Sequence, residues 1–550
     1  MGHEANIDSI RALEKQIEAG DGDTIELKRT RNSLLNISTR VPPEILGYIF
    51  IQSLDREENH SLETESHFYG LRKGSYNFLL VCHHWFEVAS KTPEIWSFWG
   101  NTLRVWGERC VRPGVAPVDL VLDECAEDPE TIIGLPLCRA LRDRAVQDKI
   151  RQIHLRTPHA HTLSVILSSL IPEGEDVWRT SIESIDLRFE ESPGIDISEF
   201  FARHSFPKLR SLVLYGLFRL PSWDHLVSQT TLLTAASLDM VESSSPTTPQ
   251  LLSILAANPN LQELSIANAV IPRDESDESK LRVPLRHLKR LSLIGELRHV
   301  FRLLDRLALP GTLDSMVLTV PNSTVEDLSQ IPGPYLREYF RHHHKLRGGL
   351  KIEAYTSNDK FSISVQTTHR PRSLSWREPQ PSVEFEAILG EPAPPAVVDN
   401  LCFDLIASTP QEHVVTFSTD LPINRMEDLF TAMPNIKTLY LFDAALSKGS
   451  LLPNPDGAHA ATKLLPSLQF LHLENVTLDD DDWGHLTRYL SHQTSGNQAI
   501  SLVVTSHYLV PHKVLNEIKR LVRTFSYQQT PRAESEDDED DEDDEDDEDD

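Results

Sequence analysis

Residues 206–214 read Phe206-Pro207-Lys208-Leu209-Arg210-Ser211-Leu212-Val213-Leu214, and the spacing of the first, second and last leucine recurs along the chain. Each copy has an apolar residue, two other residues, an apolar residue, one other residue and a third apolar residue. Measured between the middle residues, the steps from Ile153 to Met316 are 32, 27, 24, 28, 27 and 25 residues. The triplets are Ile150/Ile153/Leu155, Ile182/Ile185/Leu187, Leu209/Leu212/Leu214, Leu233/Ala236/Leu238, Leu261/Leu264/Ile266, Leu288/Leu291/Leu293, Leu313/Met316/Leu318, Ile436/Leu439/Leu441, Leu468/Leu471/Leu473 and a weaker Ala499/Leu502/Val504.

Repeats of this length predict a stacked architecture with one short strand and one helix in each unit. A single unit cannot bury its apolar face alone, whereas stacked neighbours share a continuous core. In four copies a proline precedes the strand and stops the preceding helix, at Pro207, Pro259, Pro434 and Pro466. The pattern resembles the irregular leucine-rich repeat. The resemblance implies an α/β fold over residues 115–525, a solenoid of parallel strands with helices outside, stacked as one unit.

The period is interrupted over residues 321–409. Residues 351–355 and 361–365 alternate in strand fashion around Ser357-Asn358-Asp359, which predicts a hairpin. Residues 382–386 predict another strand. Either degenerate repeats or an insertion would account for the interruption.

The N-terminal part of the chain carries helix starts crowded with large apolar side chains. Residues 41–50 read Val41-Pro42-Pro43-Glu44-Ile45-Leu46-Gly47-Tyr48-Ile49-Phe50. Pro43 suits the first helical position, and Glu44 suits the positive end of the helix dipole. Ile45, Leu46, Ile49 and Phe50 are predicted to form one apolar stripe. Further short helices are predicted from Leu79-Leu80-Val81-Cys82-His83-His84-Trp85 and from Thr92-Pro93-Glu94-Ile95-Trp96-Ser97.

These three blocks resemble the F-box, in a form with a long insert after its first helix, over residues 39–100. Val41 stands where that family usually has leucine, and the polar insert Gln52–Tyr76 lengthens the domain. In the family the box binds a Skp-type adaptor, which attaches the protein to a cullin ubiquitin ligase. The adaptor-binding residues that the resemblance implies are Val41, Pro42, Pro43, Ile45, Leu46, Ile49, Phe50, Leu79, Val81, Cys82, Trp85 and Trp96.

A box followed by repeats implies a substrate receptor of an SCF-type cullin ubiquitin ligase, with a protein substrate held by the repeats. In that role all bond chemistry belongs to partner subunits, so the chain is expected not to be an enzyme. The residues leave an alternative open. The three blocks would also suit the ordinary core of a helical subdomain, and the protein would then be a non-degradative repeat scaffold.

Residues 1–38 form a lead-in to these helices. Apolar residues at Ile7, Ile10, Leu13 and Ile17 are followed by a second group beyond Gly20-Asp21-Gly22. Two helices that fold back on each other explain the spacing, and a coiled coil is the alternative, although the run is short for sustained heptads.

Charge and cysteine usage exclude several classes of function. The formal net charge is −30, of which residues 534–550 supply 16 acidic residues; the rest of the chain has 67 acidic and 53 basic residues. No basic patch of the kind that grips nucleic acid is visible, so a nucleic-acid partner is not expected. Three features predict a soluble protein of the cytoplasm or nucleus, without a membrane partner. They are an odd number of cysteines (five) with no C-x-x-C pair, a charged N-terminus and the lack of a long apolar run.

The sequence gives little support for a metal site or a catalytic site. The histidines of Arg341-His342-His343-His344-Lys345 have no further ligand at suitable spacing, so a solvated basic turn is favoured over a metal site. The acidic run Asp479–Asp482 lacks the glycine and glutamate of a calcium loop and instead predicts the start of a helix. No phosphate-binding loop or activated nucleophile is apparent, and neither a cofactor nor a catalytic residue is predicted.

The acidic C-terminal segment, residues 530–550, is predicted to be disordered because like charges at such density cannot bury a core. Removing Glu534 to Asp550 is therefore expected to leave the melting temperature of the protein unchanged. A thermal melt of the truncated and full-length chains at moderate salt checks this. A loss of several degrees on truncation would show that the segment packs against the folded part.

Overall fold

A computed structural model gives the fold, and the account below is confined to the residues that it describes. These are 2–20, 24–35, 41–53, 81, 83–96, 98–100, 117–123, 135–157, 160–171, 178–189, 195–216, 218–219, 223, 226, 230–240, 246–267, 282–310, 313–330, 350–356, 360–367, 382–389, 402–404, 406–407, 414–420, 430–442, 465–475, 480–494, 500–506 and 510–529. The acidic C-terminal segment and the cluster at 341–345 lie outside them.

The chain divides into two units, one formed by residues 1–290 with 305–310 and the other by 291–304 with 311–550. Both are mixed α/β with mostly parallel strands, which confirms the α/β class that the sequence predicts. In the first unit the helices are Gly2–Ala19 (α1), Thr24–Leu35 (α2), Pro43–Ser53 (α3), His83–Ser90 (α4), Leu135–Leu141 (α5), Arg144–Gln147 (α6), Ala160–Leu170 (α7), Ser198–Arg203 (α8) and Thr248–Ala257 (α9), with a 3-10 turn at Pro93–Trp96. Its strands are Phe98–Gly100 (β1), Val118–Asp123 (β2), Ile150–Arg156 (β3), Trp178–Arg179 (β4), Ser184–Phe189 (β5), Ile195–Asp196 (β6), His204–Ser205 (β7), Ser211–Gly216 (β8), Phe218–Arg219 (β9), Ala235–Met240 (β10), Glu263–Ala267 (β11), Val283–Pro284 (β12) and Leu307–Ala308 (β14).

The remaining elements belong wholly or mostly to the second unit. Its helices are Leu297–Arg306 (α10), Val325–Gln330 (α11), Asp480–Thr494 (α12) and His512–Leu521 (α13). Its strands are Arg290–Ile294 (β13), Ser315–Ser323 (β15), Leu350–Thr356 (β16), Lys360–Thr367 (β17), Ser382–Leu389 (β18), Val414–Thr419 (β19), Thr438–Phe442 (β20), Phe470–Glu474 (β21), Ser501–Ser506 (β22) and Thr524–Gln529 (β23). The acids at 480–482 lie in the first turn of α12, as their spacing predicts.

The repeats of the first unit stack with their strands in one parallel register. Strands β1, β2, β3, β5, β8, β10 and β11 pair in that order. The middle residues of the predicted triplets are direct partners, and each is at most 3% exposed. This confirms the predicted strands and their inward-facing residues, which run Ile153, Ile185, Leu212, Ala236 and Leu264 across the sheet.

Two residues make close contacts between neighbouring repeats of the first unit. Asn258, at the end of α9, donates from Nδ2 to the Ile254 carbonyl and accepts at Oδ1 from the Leu233 N–H, 2.9 Å away. Gly216 ends β8 with φ of 110°, and a Cβ there would lie 1.5 Å from the Phe189 carbonyl oxygen. The neighbouring strand therefore requires glycine at this position.

The second unit contains the segment that interrupts the sequence period, and its strand pairing accounts for the interruption. Its strands pair in the order β15, β18, β17, β16, β19, β20, β21, β22 and β23. The predicted hairpin is confirmed, since β16 and β17 are antiparallel, and the predicted strand at 382–386 lies within β18. Only the pairs made by β17 are antiparallel among these. The segment is thus an insertion of a three-strand meander into the sheet, not a series of degenerate repeats.

Substituting Leu264 tests the register of the repeats. Leu264 is 1% exposed, whereas its neighbour Ser265 faces the other side of β11. Leu264→Ala is expected to lower the free energy of unfolding by about 2–5 kcal/mol because it leaves a cavity. Ser265→Ala is the matched control and should change it by about 0.5 kcal/mol or less. Urea melts measure both, and equal losses would contradict the assigned register.

His204 is buried between two backbone carbonyls in the first unit. Its Nδ1 lies 2.7 Å from the Phe200 oxygen, and its Nε2 lies 3.0 Å from the Leu170 oxygen. The rings of Phe200 and Phe206 surround it at 4.7 and 5.8 Å. Burial lowers the pKa of His204 below its ordinary value, and the two carbonyls oppose this only in part.

The lowered pKa of His204 predicts a loss of stability in mild acid. Near its ordinary pKa the unfolded chain binds a proton that the folded chain does not, so stability falls as pH drops from about 7.5 to about 5.5. In His204→Gln the difference between the melting temperatures at these two pH values should shrink. His287→Gln changes an exposed histidine and serves as the control. An unchanged difference in His204→Gln would contradict the prediction.

Candidate functional site

The helix α3 begins where the sequence predicts. The carbonyl of Pro42 accepts from the N–H groups of Ile45 and Leu46, each at 3.0 Å, and Pro43 is the first helical residue. Glu44 lies in the first turn, where the helix dipole favours a carboxylate. Pro42 and Pro43 therefore form the N-terminal end of α3.

A small core holds α3 against α4 and the 3-10 turn. Its buried members are Leu46, Phe50, Val88, Ala89 and Ile95, with Val41, Ile51 and Trp85 packed against them. The rings of Phe50 and Trp85 lie 5.1 Å apart in a tilted arrangement. Five fully buried side chains make a modest core, so the packing of these helices depends on each of them.

Gly47 allows α3 to approach the turn that follows α4. A Cβ at Gly47 would lie 2.9 Å from Thr92 Oγ1, closer than real contacts allow. Thr92 cannot simply rotate away, because its hydroxyl donates to the Val88 carbonyl at 2.8 Å. Sequence reasoning did not single out Gly47, because a glycine within a helix pattern carries no signal of close approach.

The opposite face of α3 presents large apolar side chains to solvent. Ile45 is 53% exposed, Tyr48 61% and Ile49 47%. Positions i, i+3 and i+4 share one face of a helix, so these three side chains are neighbours. We call them the α3 stripe. Val81, just before α4, is 54% exposed, and Phe86 on α4 is 36% exposed.

The four residues of the predicted apolar stripe of α3 differ in burial. Leu46 and Phe50 face the core at 2% and 1% exposure, while Ile45 and Ile49 face solvent. The four positions span about 140° of the helix, and the described elements packed against α3 cover the part of this arc that holds Leu46 and Phe50. Tyr48 and Phe86, which sequence reasoning missed, belong to the exposed set.

The other candidate residues have varied positions. Pro42 and Pro43 are exposed, and Val41 and Trp85 are partly buried against the small core. Leu79, Cys82 and the side chain of Trp96 lie outside the described residues. The adaptor-binding role of the whole set stays a prediction.

Within the described ranges, no three His, Cys, Asp or Glu side chains are grouped so that they could hold a metal ion. The thiols of Cys138 and Cys402 are buried, and burial raises the pKa of Cys138. No described helix has the length and apolar character needed to cross a membrane.

No protein-family model matches the sequence, and no curated protein matches it. The α3 stripe, whose side chains are exposed beside the small core, is the feature from which a function can be argued.

Proposed function

We propose that this chain is the substrate-recognition subunit of an SCF-type cullin ubiquitin ligase. An F-box formed by α3, α4 and the 3-10 turn binds a Skp-type adaptor, and the repeats, arranged as a leucine-rich-repeat solenoid, bind a protein substrate. The adaptor connects the chain to a cullin, in the cytoplasm or the nucleus. The observation that carries the proposal is the exposure of the α3 stripe.

Energetics support an interface on the α3 stripe. Complete burial of a side chain of this size contributes about 1.5–3 kcal/mol. Three such residues on one helical face fit the binding mode in which an amphipathic helix lays its apolar side in a groove. Val81 and Phe86 add apolar surface on the neighbouring segment. Contiguous exposed apolar surface of this kind marks interaction sites in soluble proteins.

The repeats support the second half of the proposal. Their buried triplets face the core, so the alternate side chains of each strand lie on the other face of the sheet. In the first unit this face carries the ion pairs Arg151–Asp119 and Arg188–Asp186 at 2.9 and 3.0 Å. Polar groups held rigidly on strands suit the recognition of another protein. The chain contributes binding, and partner subunits perform the transfer of ubiquitin.

The alternative is a non-degradative scaffold whose repeats bind a partner while the box binds no adaptor. The same repeats serve both functions, so the α3 stripe alone separates them. If the wild-type chain does not bind a Skp-type adaptor, the scaffold is the better description.

A charge-introducing double variant tests the proposal. Ile45→Asp/Ile49→Asp places two carboxylates on the α3 stripe without touching the core, so it should abolish binding to a purified Skp-type adaptor. Lys91→Asp is the matched control, because it changes an exposed residue after α4 and alters the net charge by the same two units. It should bind normally. Pull-down and calorimetry measure the affinities.

A core variant separates lost binding from lost folding. Leu46→Asp buries a carboxylate in the small core and should unfold these helices, as limited proteolysis would show. The double variant should instead resist proteolysis as the wild type does. Undiminished adaptor binding by the folded double variant would overturn the proposed docking surface.

A further inference from the structure

Strands β20 and β21 carry aromatic side chains on the face of the sheet that is turned away from the core. Leu439, Leu441, Leu471 and Leu473 point inward and are at most 1% exposed. Because side chains alternate along a strand, Tyr440, Phe442, Phe470 and His472 occupy the opposite face, where they are half-buried. Tyr355 of β16 is 39% exposed and joins the same group. We call these five residues the aromatic platform.

The rings of the platform are in mutual contact. Tyr440 and Phe442 are nearly parallel, with an angle of 4° and centroids 6.4 Å apart. Tyr440 also lies 5.7 Å from Phe470 and 5.6 Å from His472, and Tyr355 lies 6.2 Å from Phe442. The Tyr355 hydroxyl is 3.3 Å from Ser418 Oγ on the intervening strand. Packing of this kind fixes the ring orientations, while the side chains themselves stay half-buried.

Most neighbours of the platform on the adjoining strands are polar. The outward register partners include Thr416, Ser418 and Ser501, while Val503 lies opposite His472. Isolated apolar side chains on a protein surface are ordinary, but a contiguous group of five rings within a polar surface marks an interaction site. Aromatic residues are also the side chains most enriched in the anchoring centres of interfaces.

The charge around the platform favours a cation. Glu474 is the register partner of Phe442; its Oε2 lies 3.8 Å from His472 Nε2, and its side chain is 38% exposed, so the carboxylate can still be reached from solvent. On the outward face of β16, β17 and β18, Lys351 lies 2.6 Å from Glu353, and Lys360 is paired with Glu386. Both lysines are thus neutralised locally, and Glu474 adds a further acid to the charged residues that the structure describes on this face. The face of an aromatic ring is itself the negative end of a quadrupole.

We propose that the aromatic platform binds an arginine side chain in a basic segment of a partner protein. The guanidinium lies over the faces of Tyr440 and Phe442, and Glu474 supplies the carboxylate that it pairs with. Arginine is the cation most often found over aromatic rings, and its planar group forms paired hydrogen bonds to carboxylates. The net charge of −30 attracts basic segments at longer range. The platform does not depend on adaptor binding by α3.

Binding of fluorescent peptides to the full-length chain tests the proposal. The probe is a glycine-rich peptide with two arginines, and its citrulline counterpart keeps the shape but lacks the charge. The arginine peptide should bind at least about tenfold more tightly. Its affinity should fall as salt rises from about 50 to about 500 mM. Equal affinity for the citrulline peptide, or for an acidic peptide, would overturn the proposal, as would no measurable binding of the arginine peptide.

Variants assign the binding to the platform. Tyr440→Leu/Phe442→Leu keeps apolar bulk but removes two ring faces, and should weaken binding about tenfold. Glu474→Gln removes one charge and should weaken binding several-fold. Tyr215→Leu, on the outward face of β8 in the first unit, is the matched control and should bind as the wild type does. Thermal melts establish that each variant is folded.

Two results would assign the platform to something else. Wild-type affinity in folded Tyr440→Leu/Phe442→Leu would place the peptide elsewhere on the chain. The second result is a concentration-dependent dimer of the wild type in sedimentation that is absent in the same double variant. That outcome would show that a second copy of the chain occupies the platform. Either result overturns the proposal.

Discussion

Each strand of the repeats depends on the next strand for both its hydrogen bonds and the cover of its apolar residues. The carbonyl of Thr234 accepts from the N–H groups of Gln262 and Glu263, and one repeat later the carbonyl of Gln262 accepts from Lys289 and Arg290. The same pairing aligns Ala236 with Leu264, so that buried residues stack in rows. Because neither contribution exists within a single repeat, the stability of each repeat depends on the repeats beside it.

The helices at residues 43–96 face a different constraint, which is their size. Among the described residues five buried side chains form the core beside α3, and they leave Ile45, Tyr48 and Ile49 about half exposed. Gly47 sharpens this division, since it brings one face of α3 close to Thr92 and so turns the other face outward. The exposed face of α3 is thus a direct result of how the buried face packs.

Much of the sheet could be predicted from sequence because its signal is repeated. The triplets Leu209/Leu212/Leu214 and Leu468/Leu471/Leu473 specify strand, inward face and register at once, and all six residues are buried. Less could be predicted where apolar residues are adjacent. Ile45 and Leu46 look alike in sequence, and only the position of α4 decides which of them is buried. For the same reason Tyr440-Leu441-Phe442 reads as one apolar run, which hides the outward direction of its two rings.

The meander formed by β16, β17 and β18 shows how additional strands can be inserted into a parallel sheet. Two hairpin reversals return the backbone to its starting direction, so β15 and β19 both run parallel to the strands that they pair with. Strands downstream can then keep the same direction, as β20 and β21 do. An inserted pair of reversals is therefore compatible with a parallel sheet, whereas a single reversal would leave the next strand antiparallel to its neighbour.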